Sequence, residues 1–158
     1  MGGGCHWCTE GVFVSLPGVE RVEQGWIAAP APDAAFSEAV IVHFDPARIA
    51  PVDLLSVHLG THSATGRHAL RGRYRSAVYC FDAAQLVRWR ELLRLLQADF
   101  AEPLVTRVLR FADFRASEAA YRDYFRRDPQ RPFCRRYIAP KLDRLRADRP
   151  DLFFVGKQ

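Results

Sequence analysis

The chain has 158 residues, a formal net charge of +5 at pH 7 and a pI of about 9.3, and 49% of its residues are hydrophobic. This length and composition predict one folded domain over residues 1–158 and exclude a disordered chain. The excess of basic residues is small and the arginines are scattered along the chain, so nucleic acid is not the expected partner. No apolar run reaches the ~18 residues that a membrane span needs.

The first predicted element is a helix over residues 6–16, which ends at Pro17-Gly18. Cys5 directly precedes this helix, after a run of glycines, and Cys8 lies within its first turn. A cysteine at a helix N-terminus faces free backbone N–H groups and the positive end of the helix dipole, which favour the thiolate. The glycines allow a tight turn and the close approach of a substrate. Cys5 is therefore predicted to be a reactive sulfur.

Helices and strands alternate along the rest of the chain. Hydrophobic periodicity and turn residues predict strands at 19–29, 38–44, 74–81 and 105–111, and helices at 52–59 (starting at Pro51), 83–100 and 138–147. Ser117 is expected to cap a further helix that runs to about Arg127. The polar stretch 61–73 has no periodicity, which is typical of a functional loop. This order of elements predicts an α+β fold, an α/β two-layer sandwich.

Four cysteines in a domain of this size do not indicate a disulfide scaffold. The start of the chain lacks the basic and apolar regions of a secretory signal. We therefore expect a cytoplasmic protein, in which a Cys-x-x-Cys pair is catalytic or metal-binding.

Residues 4–10, Gly-Cys-His-Trp-Cys-Thr-Glu, are similar to the Gly-Cys-Phe-Trp-(Gly/Cys)-x-Glu motif of methionine sulfoxide reductase A, the peptide-methionine (S)-S-oxide reductases. Further segments resemble this family in the same order: Leu16-Pro17-Gly18-Val19, Gln24-Gly25-Trp26, Ser37-Glu38-Ala39-Val40 (family His-Ala-Glu-Ala-Val), Phe44-Asp45-Pro46, and Tyr74-Arg75-Ser76-Ala77-Val78-Tyr79 (family Gln-Tyr-Arg-Ser-Ala-Ile-Tyr). A weaker likeness extends through Tyr121 and Tyr124 to Cys134. The resemblance implies a ferredoxin-like core and an oxidoreductase that reduces methionine sulfoxide, a repair activity against oxidative damage.

The resemblance also implies a role for each site residue. Cys5 would attack the sulfoxide sulfur, Glu38 would donate a proton to the departing oxygen, and Tyr74 would donate a hydrogen bond to the same oxygen. Trp7 would form a flat apolar wall for the substrate methyl group. His6 stands beside it, where the family has phenylalanine. No cofactor is expected.

The family chemistry requires a second thiol. Once methionine leaves, Cys5 would be a sulfenic acid that condenses with another cysteine to a disulfide, which thioredoxin or a similar dithiol then reduces. Family members often carry this resolving cysteine on a C-terminal segment, where the chain has Cys134. Cys8 is nearer in sequence and stays open as the alternative, although Cys134 is preferred. Cys80, inside a predicted strand, is expected to be a buried apolar residue.

Each site residue also has an ordinary structural explanation. Glu38 is consistent with a solvated strand edge, and Tyr74 and Trp7 are consistent with core aromatics. The chain also holds three histidines that could act as metal ligands with the cysteine pair, namely His58, His62 and His68. Their spacing matches no zinc pattern, so no metal site is expected.

Several positions depart from the family pattern. His6 removes one apolar wall and adds a ring whose charge would favour the Cys5 thiolate. Ala69 stands where the family has an acid, five positions before Tyr74, and the loop before Glu38 is too short to hold the family's tyrosine. The strand that usually precedes the motif has no counterpart in this sequence, which would weaken the support beneath Cys5.

Three functions therefore compete. The leading hypothesis is the reduction of methionine S-sulfoxide, free or in oxidised proteins. A generic dithiol oxidoreductase that uses Cys5 and Cys8 is less favoured, because the βαβ context of thioredoxin-like folds is not evident. A non-catalytic protein that binds methionine sulfoxide or senses oxidants is favoured only by the loss of the acid at Ala69.

Overall fold

The computed structural model describes residues 1–153, so the last residues of the expected 1–158 domain lie outside the described part of the chain. The α-helices are α1 His6–Phe13, α2 Pro51–Thr61, α3 Ala83–Leu96, α4 Tyr124–Arg127 and α5 Ala139–Asp148. The strands are β1 Val19–Ala28, β2 Ser37–Phe44, β3 Ala77–Cys80, β4 Arg107–Arg110 and β5 Asp113–Ala116. Short 3-10 turns lie at Ala69–Gly72, Gln97–Asp99, Ala119–Tyr121 and Pro150–Leu152, and a π-helical turn spans Cys134–Ile138.

The strands form two small sheets that are joined through the first residues of the chain. β1 pairs antiparallel with β2 and with β5, and β3 pairs parallel with β4. The Val40 N–H of β2 donates to the Met1 carbonyl at 2.9 Å, while Gly2 and Ala77 of β3 exchange backbone hydrogen bonds of 2.9 and 3.0 Å. Met1 and Gly2 therefore lie between β2 and β3, directly before Cys5, in the place where we expected support to be missing.

Glycine is required at this junction because the chain passes close to its neighbours. A Cβ atom on Gly2 would lie 2.9 Å from the Glu38 carbonyl oxygen, and one on Gly3 would overlap the His62 ring. Gly4, by contrast, has nothing within 4 Å of its Cβ position. Gly2 and Gly3, which were expected to allow the close approach of a substrate, instead allow close packing of the chain against Glu38 and His62.

Helices cover the sheets and enclose the main core. α1 packs on β1 and β2, and α3 packs on β3 and β4. Asp82 caps the start of α3, since its carboxylate accepts the Gln85 N–H at 2.7 Å. The apolar residues of α3 recur at helical spacing on one side. The largest fully buried side chains of this core are Phe13, Leu54, Leu55, Leu59, Ile138 and Leu142. Among residues 1–153, no helix combines the length and apolar character needed to cross a bilayer.

Several predicted boundaries were wrong by a few residues. α3 ends at Leu96 rather than at residue 100, because Gln97–Asp99 form a 3-10 turn. α1 ends at Phe13 rather than at Leu16, because the next residues tighten into turns in which Ser15 and Leu16 donate to carbonyls three residues back. The strand predicted from Tyr74 begins only at Ala77. Tyr74 therefore lies in the loop before β3.

The helix predicted after Ser117 was also wrong. A short strand, β5, occupies residues 113–116, and the Ser117 N–H extends its pairing by donating to the Gln24 carbonyl at 2.9 Å. Asp123 then adopts a left-handed conformation (φ 54°), so only one helical turn follows, from Tyr124. β5 was not predicted, because it is only four residues long, its side chains are mostly exposed, and its sequence shows no alternation of apolar and polar residues.

Candidate active site

Cys5 lies at the N-terminal cap of α1, with φ −56° and ψ 127°. Its carbonyl accepts the N–H groups of Cys8 and Thr9, both at 3.1 Å, and these bonds begin the helix. The Trp7 and Cys8 N–H groups also act on its sulfur as hydrogen-bond donors. This is the helix-terminal position that the sequence predicts, and it favours a negative charge on sulfur.

Cys5 and Cys8 form a hydrogen-bonded pair whose two sulfurs differ in proton affinity. The Cys8 thiol donates to the Cys5 sulfur, and this bond lowers the pKa of Cys5, helped by the backbone N–H groups and opposed by burial and by the charge of Glu38. The same bond raises the pKa of Cys8, and burial adds to that shift. Of the two thiols, Cys5 is therefore the one that ionises first, while Cys8 keeps its proton.

Glu38 is buried in β2 at 2% exposure, opposite Trp26 of β1. Its Oε2 accepts the backbone N–H of His6 at 3.1 Å, which fixes the carboxyl group against the start of α1. Its charge opposes ionisation of Cys5, so the two groups are close enough to interact. The structure therefore places Glu38 beside the thiol pair and not on a solvated strand edge.

Tyr74 reaches the same neighbourhood from the loop before β3. Burial raises the pKa of its phenol, and the charges of Glu38 and Cys5 add to this shift while Arg73 opposes it. The hydroxyl therefore keeps its proton at neutral pH and remains a hydrogen-bond donor.

Arg73 is a site residue that the sequence reasoning missed. Its Nε donates to Glu38 Oε1 at 2.8 Å, and its guanidinium carbon lies 5.3 Å from the centre of the Tyr74 ring. The available signal was its position directly before Tyr74, where the matching family segment has glutamine. The ion pair itself depends on the fold, because 35 residues separate its two partners in sequence.

His6 lies behind Glu38 and is 6% exposed. Its Nδ1 is 2.9 Å from the Gly25 carbonyl oxygen, and because that oxygen can only accept, Nδ1 carries the hydrogen. Its Nε2 is 3.8 Å from Glu38 Oε2, and its ring meets Trp26 edge-on at 5.0 Å. The ring that replaces the family phenylalanine thus faces the carboxyl group as well as the apolar side of the site.

Trp7 stands in an aromatic cluster beside Cys5. Its ring stacks on Tyr124, with centroids 4.3 Å apart and planes at 2°, and it meets the edge of Phe133 at 5.4 Å. Since Trp7 is only half-buried, the cluster is an apolar wall and not a closed core contact.

Glu10, the last residue of the motif, holds this wall in place. Its buried carboxylate accepts the backbone N–H groups of Asp123 and Tyr124, at 2.8 and 3.1 Å, and the Gln24 amide at 2.7 Å. These bonds tie α1 to the segment that carries Tyr124. The sequence reasoning quoted Glu10 within the motif but gave it no role.

The remaining cysteines are buried. Cys134 has no exposed surface, at the start of the π-helical turn, and burial raises its pKa. It lies close enough to Cys8 for the two charges to interact. Cys80 is 2% exposed in β3, and burial raises its pKa to about 11, in agreement with the predicted apolar role.

A cavity of about 240 Å³ lies next to the thiol pair and is lined by Cys5, Cys8, His58, His62 and Lys141, among others. Burial lowers the pKa of both histidines, that of His62 to about 4, so both rings are neutral at pH 7.

The third histidine considered as a metal ligand, His68, is exposed in the loop after α2. Within residues 1–153 no group of three or more His, Cys, Asp or Glu side chains is arranged to hold a metal ion.

These elements form an α+β fold in which Cys5, the buried carboxyl group of Glu38 and the phenol of Tyr74 lie close enough to interact, and Trp7 of the aromatic cluster follows Cys5 by two residues; this is the arrangement expected of a thiol-dependent enzyme. The family model for peptide methionine sulfoxide reductase matches residues 1–151. Peptide methionine sulfoxide reductase MsrA of Thermus thermophilus is 33% identical over 160 residues, which cover 92% of this chain and 91% of that protein. The enzyme of the same name from Trichodesmium erythraeum is 32% identical over 167 residues, which cover 96% and 94%.

Solved structures agree with this assignment. Methionine sulfoxide reductase A of Corynebacterium diphtheriae superimposes with a TM-score of 0.66 at 25% identity, over 81% of this chain and 73% of that one. Mxr1 from Saccharomyces cerevisiae in reduced form shares the fold, with a TM-score of 0.69 at 19% identity over 82% and 83%. The chain belongs to the peptide methionine sulfoxide reductase family. The predicted family, α+β class and oxidoreductase activity are thereby confirmed.

Proposed function

We propose that this protein reduces methionine S-sulfoxide, peptide-bound or free, through a sulfenic acid on Cys5. The observation that carries the proposal is the Cys5 thiolate beside the buried carboxyl group of Glu38, next to the Trp7 wall. Family membership supports the S epimer, a repair role in the cytoplasm and thioredoxin or a similar dithiol as the reductant.

In the first step the Cys5 thiolate attacks the sulfoxide sulfur while the substrate methyl group rests on Trp7. Glu38 gives its proton to the oxygen and Tyr74 donates a hydrogen bond to it. The attack forms a transient bond between the Cys5 sulfur and the substrate sulfur. The protonated oxygen then moves to the Cys5 sulfur, so that the substrate S–O bond and this S–S bond both break. Methionine sulfur is reduced by two electrons, and Cys5 is oxidised to the sulfenic acid.

For the second step we favour Cys8 over Cys134 as the resolving thiol. The Cys8 side chain acts directly on the Cys5 sulfur, whereas Cys134 is fully buried at the start of the π-helical turn and is not among the groups that act on Cys5. Attack of Cys8 on the sulfenic acid forms the disulfide and releases water. The dithiol reductant then restores both thiols and is itself oxidised.

A single-turnover assay without reductant tests the function. The parent chain should release about one methionine per molecule from the S epimer of a methionine sulfoxide substrate and none from the R epimer. Cys5→Ser should release none, and Cys80→Ser, which removes a thiol outside the site, should behave as the parent. Absence of release from either epimer, in a folded chain with a titratable Cys5, would support the sensor hypothesis that the loss of the acid at Ala69 favours.

Peptide mapping after that turnover tests the resolving cysteine. The parent and Cys134→Ser should contain a Cys5–Cys8 disulfide, whereas Cys8→Ser should still release methionine and retain a sulfenic acid that dimedone traps. A Cys5–Cys134 disulfide in the parent would contradict the assignment. Loss of methionine release in Cys8→Ser would instead favour a generic dithiol oxidoreductase.

A further inference from the structure

Arg73 closes over the proposed proton donor from the solvent side. Its side chain is 67% exposed, while that of Glu38 is 3% exposed, yet the two are joined by the 2.8 Å contact between Nε and Oε1. The guanidinium of Arg73 is therefore largely exposed to solvent at the entrance of the site, and its ion-pair partner is the carboxyl group of the proposed proton donor.

This ion pair opposes the proposed chemistry. Oε2 of Glu38 accepts the His6 N–H and Oε1 accepts the Arg73 Nε–H, so both carboxyl oxygens are occupied by donors where the sulfoxide oxygen has to approach. The interaction is strong enough to raise the pKa of Arg73. An anion that takes over Arg73 frees Oε1 of Glu38 for the departing oxygen.

The segment around Arg73, residues 54–81, forms the rim of the site and offers Arg73 no acidic side chain, which favours an anion from solution as its alternative partner. Residues 54–81 contain no aspartate or glutamate, and Ala69 stands in this segment where the family has an acid. The two arginines nearest to Arg73 in sequence are engaged elsewhere: Arg71 donates to the Gly66 carbonyl and Arg75 to the Ala35 carbonyl. Arg73 is the arginine of this rim whose partner can be exchanged for a substrate group.

We propose that Arg73 binds the α-carboxylate of the substrate, so that this protein prefers methionine S-sulfoxide as the free amino acid or at the C-terminus of a peptide. The inference rests on the proposed function. With the sulfoxide oxygen at Glu38 and Tyr74, only the short methionine side chain separates the reacting sulfur from the carboxylate, which places that group within reach of the guanidinium. An internal residue has a neutral amide at this point. Once Arg73 turns to the substrate, Glu38 takes up a proton from solvent and delivers it to the oxygen.

Steady-state rates on three S-epimer substrates, with dithiothreitol as reductant, test this inference. The substrates are free methionine sulfoxide, its N-acetyl derivative, which keeps only the carboxylate, and the N-acetyl methylamide, which resembles an internal residue. The parent should show a kcat/KM about tenfold higher for the N-acetyl acid than for the methylamide, and added salt should reduce this ratio. A similar rate for the free amino acid and the N-acetyl acid identifies the carboxylate as the shared determinant, whereas a faster free amino acid would add recognition of its ammonium group.

Arg73→Gln supplies the decisive variant, because it removes the charge and restores the family residue. It should raise KM for the two acids and raise kcat for the methylamide, so that the preference disappears. Arg67→Gln, at an exposed arginine of the same segment, should keep the preference of the parent. Equal kcat/KM for acid and methylamide in the parent, or a preference that survives Arg73→Gln, would overturn the inference alone. Absence of turnover with every substrate would overturn the proposed function and this inference with it.

Discussion

The chemistry at Cys5 depends on the few groups that touch its sulfur. The Cys8 thiol and two backbone N–H groups stabilise the thiolate, while burial and Glu38 oppose it. A hydrogen bond from a thiol that keeps its own proton is the largest of these effects. Cys8 therefore has two roles in our proposal: it activates Cys5 before turnover and resolves it afterwards.

Replacement of Cys8 by alanine should raise the pKa of Cys5, because a donor that favours the charged form is lost. The midpoint of Cys5 alkylation by iodoacetamide, followed against pH by mass spectrometry, should therefore move to higher pH. Cys8→Ser, whose hydroxyl can still donate, should move it less. An unchanged or lower midpoint in Cys8→Ala would contradict the hydrogen bond from Cys8.

At the scale of elements, the aromatic wall depends on the contact between α1 and the segment that follows β5. Glu10 of α1 accepts two backbone N–H groups around Asp123, whose left-handed conformation turns Tyr124 onto Trp7. A buried carboxylate with several donors is costly to remove, since each donor then loses its partner.

Glu10→Ala should lower the free energy of unfolding by about 2 kcal/mol, because it leaves buried donors unsatisfied. It should also raise KM more than it lowers kcat, since Tyr124 no longer supports the Trp7 wall. Urea denaturation and steady-state kinetics measure the two effects. Glu118→Ala, at an exposed glutamate of the same segment, is the matched control and should change neither; equal effects in both variants would refute the role of Glu10.

At the scale of the whole molecule, the two sheets meet at the residues that lead into Cys5. Gly2 pairs with β3 and lies against the carbonyl of Glu38 in β2. The spacing between the sheets therefore depends on a position without a side chain. The same junction fixes the distance between the start of α1 and Glu38.

Gly2→Ala should lower the free energy of unfolding by about 1–3 kcal/mol, because its Cβ would overpack against the carbonyl oxygens of Glu38 in β2 and of Arg75 before β3. Gly4→Ala, with open space at its Cβ, should leave the stability close to that of the parent. Thermal unfolding of both variants tests the difference. Equal stability of the two variants would argue against a tight junction at Gly2.

The helices and long strands were predictable because their signals are local. α2 begins at Pro51 and α3 at Ala83, as predicted, and β1 and β2 follow their β-rich runs. β5 and the broken helix after Ser117 were not predictable. Their conformation is decided by pairing with β1 and by the bonds from Glu10, which come from distant parts of the chain.

The sequence by itself determined the family and the α+β class, and it predicts Cys5 as the reactive sulfur, because a motif and a helix start depend on neighbouring residues. Only the tertiary structure decided which groups surround that sulfur. The burial of Glu38, its pairing with Arg73 and the burial of Cys134 join segments that are far apart in the chain. Burial and charge act through space, so these properties exist only once the sheets and helices have packed.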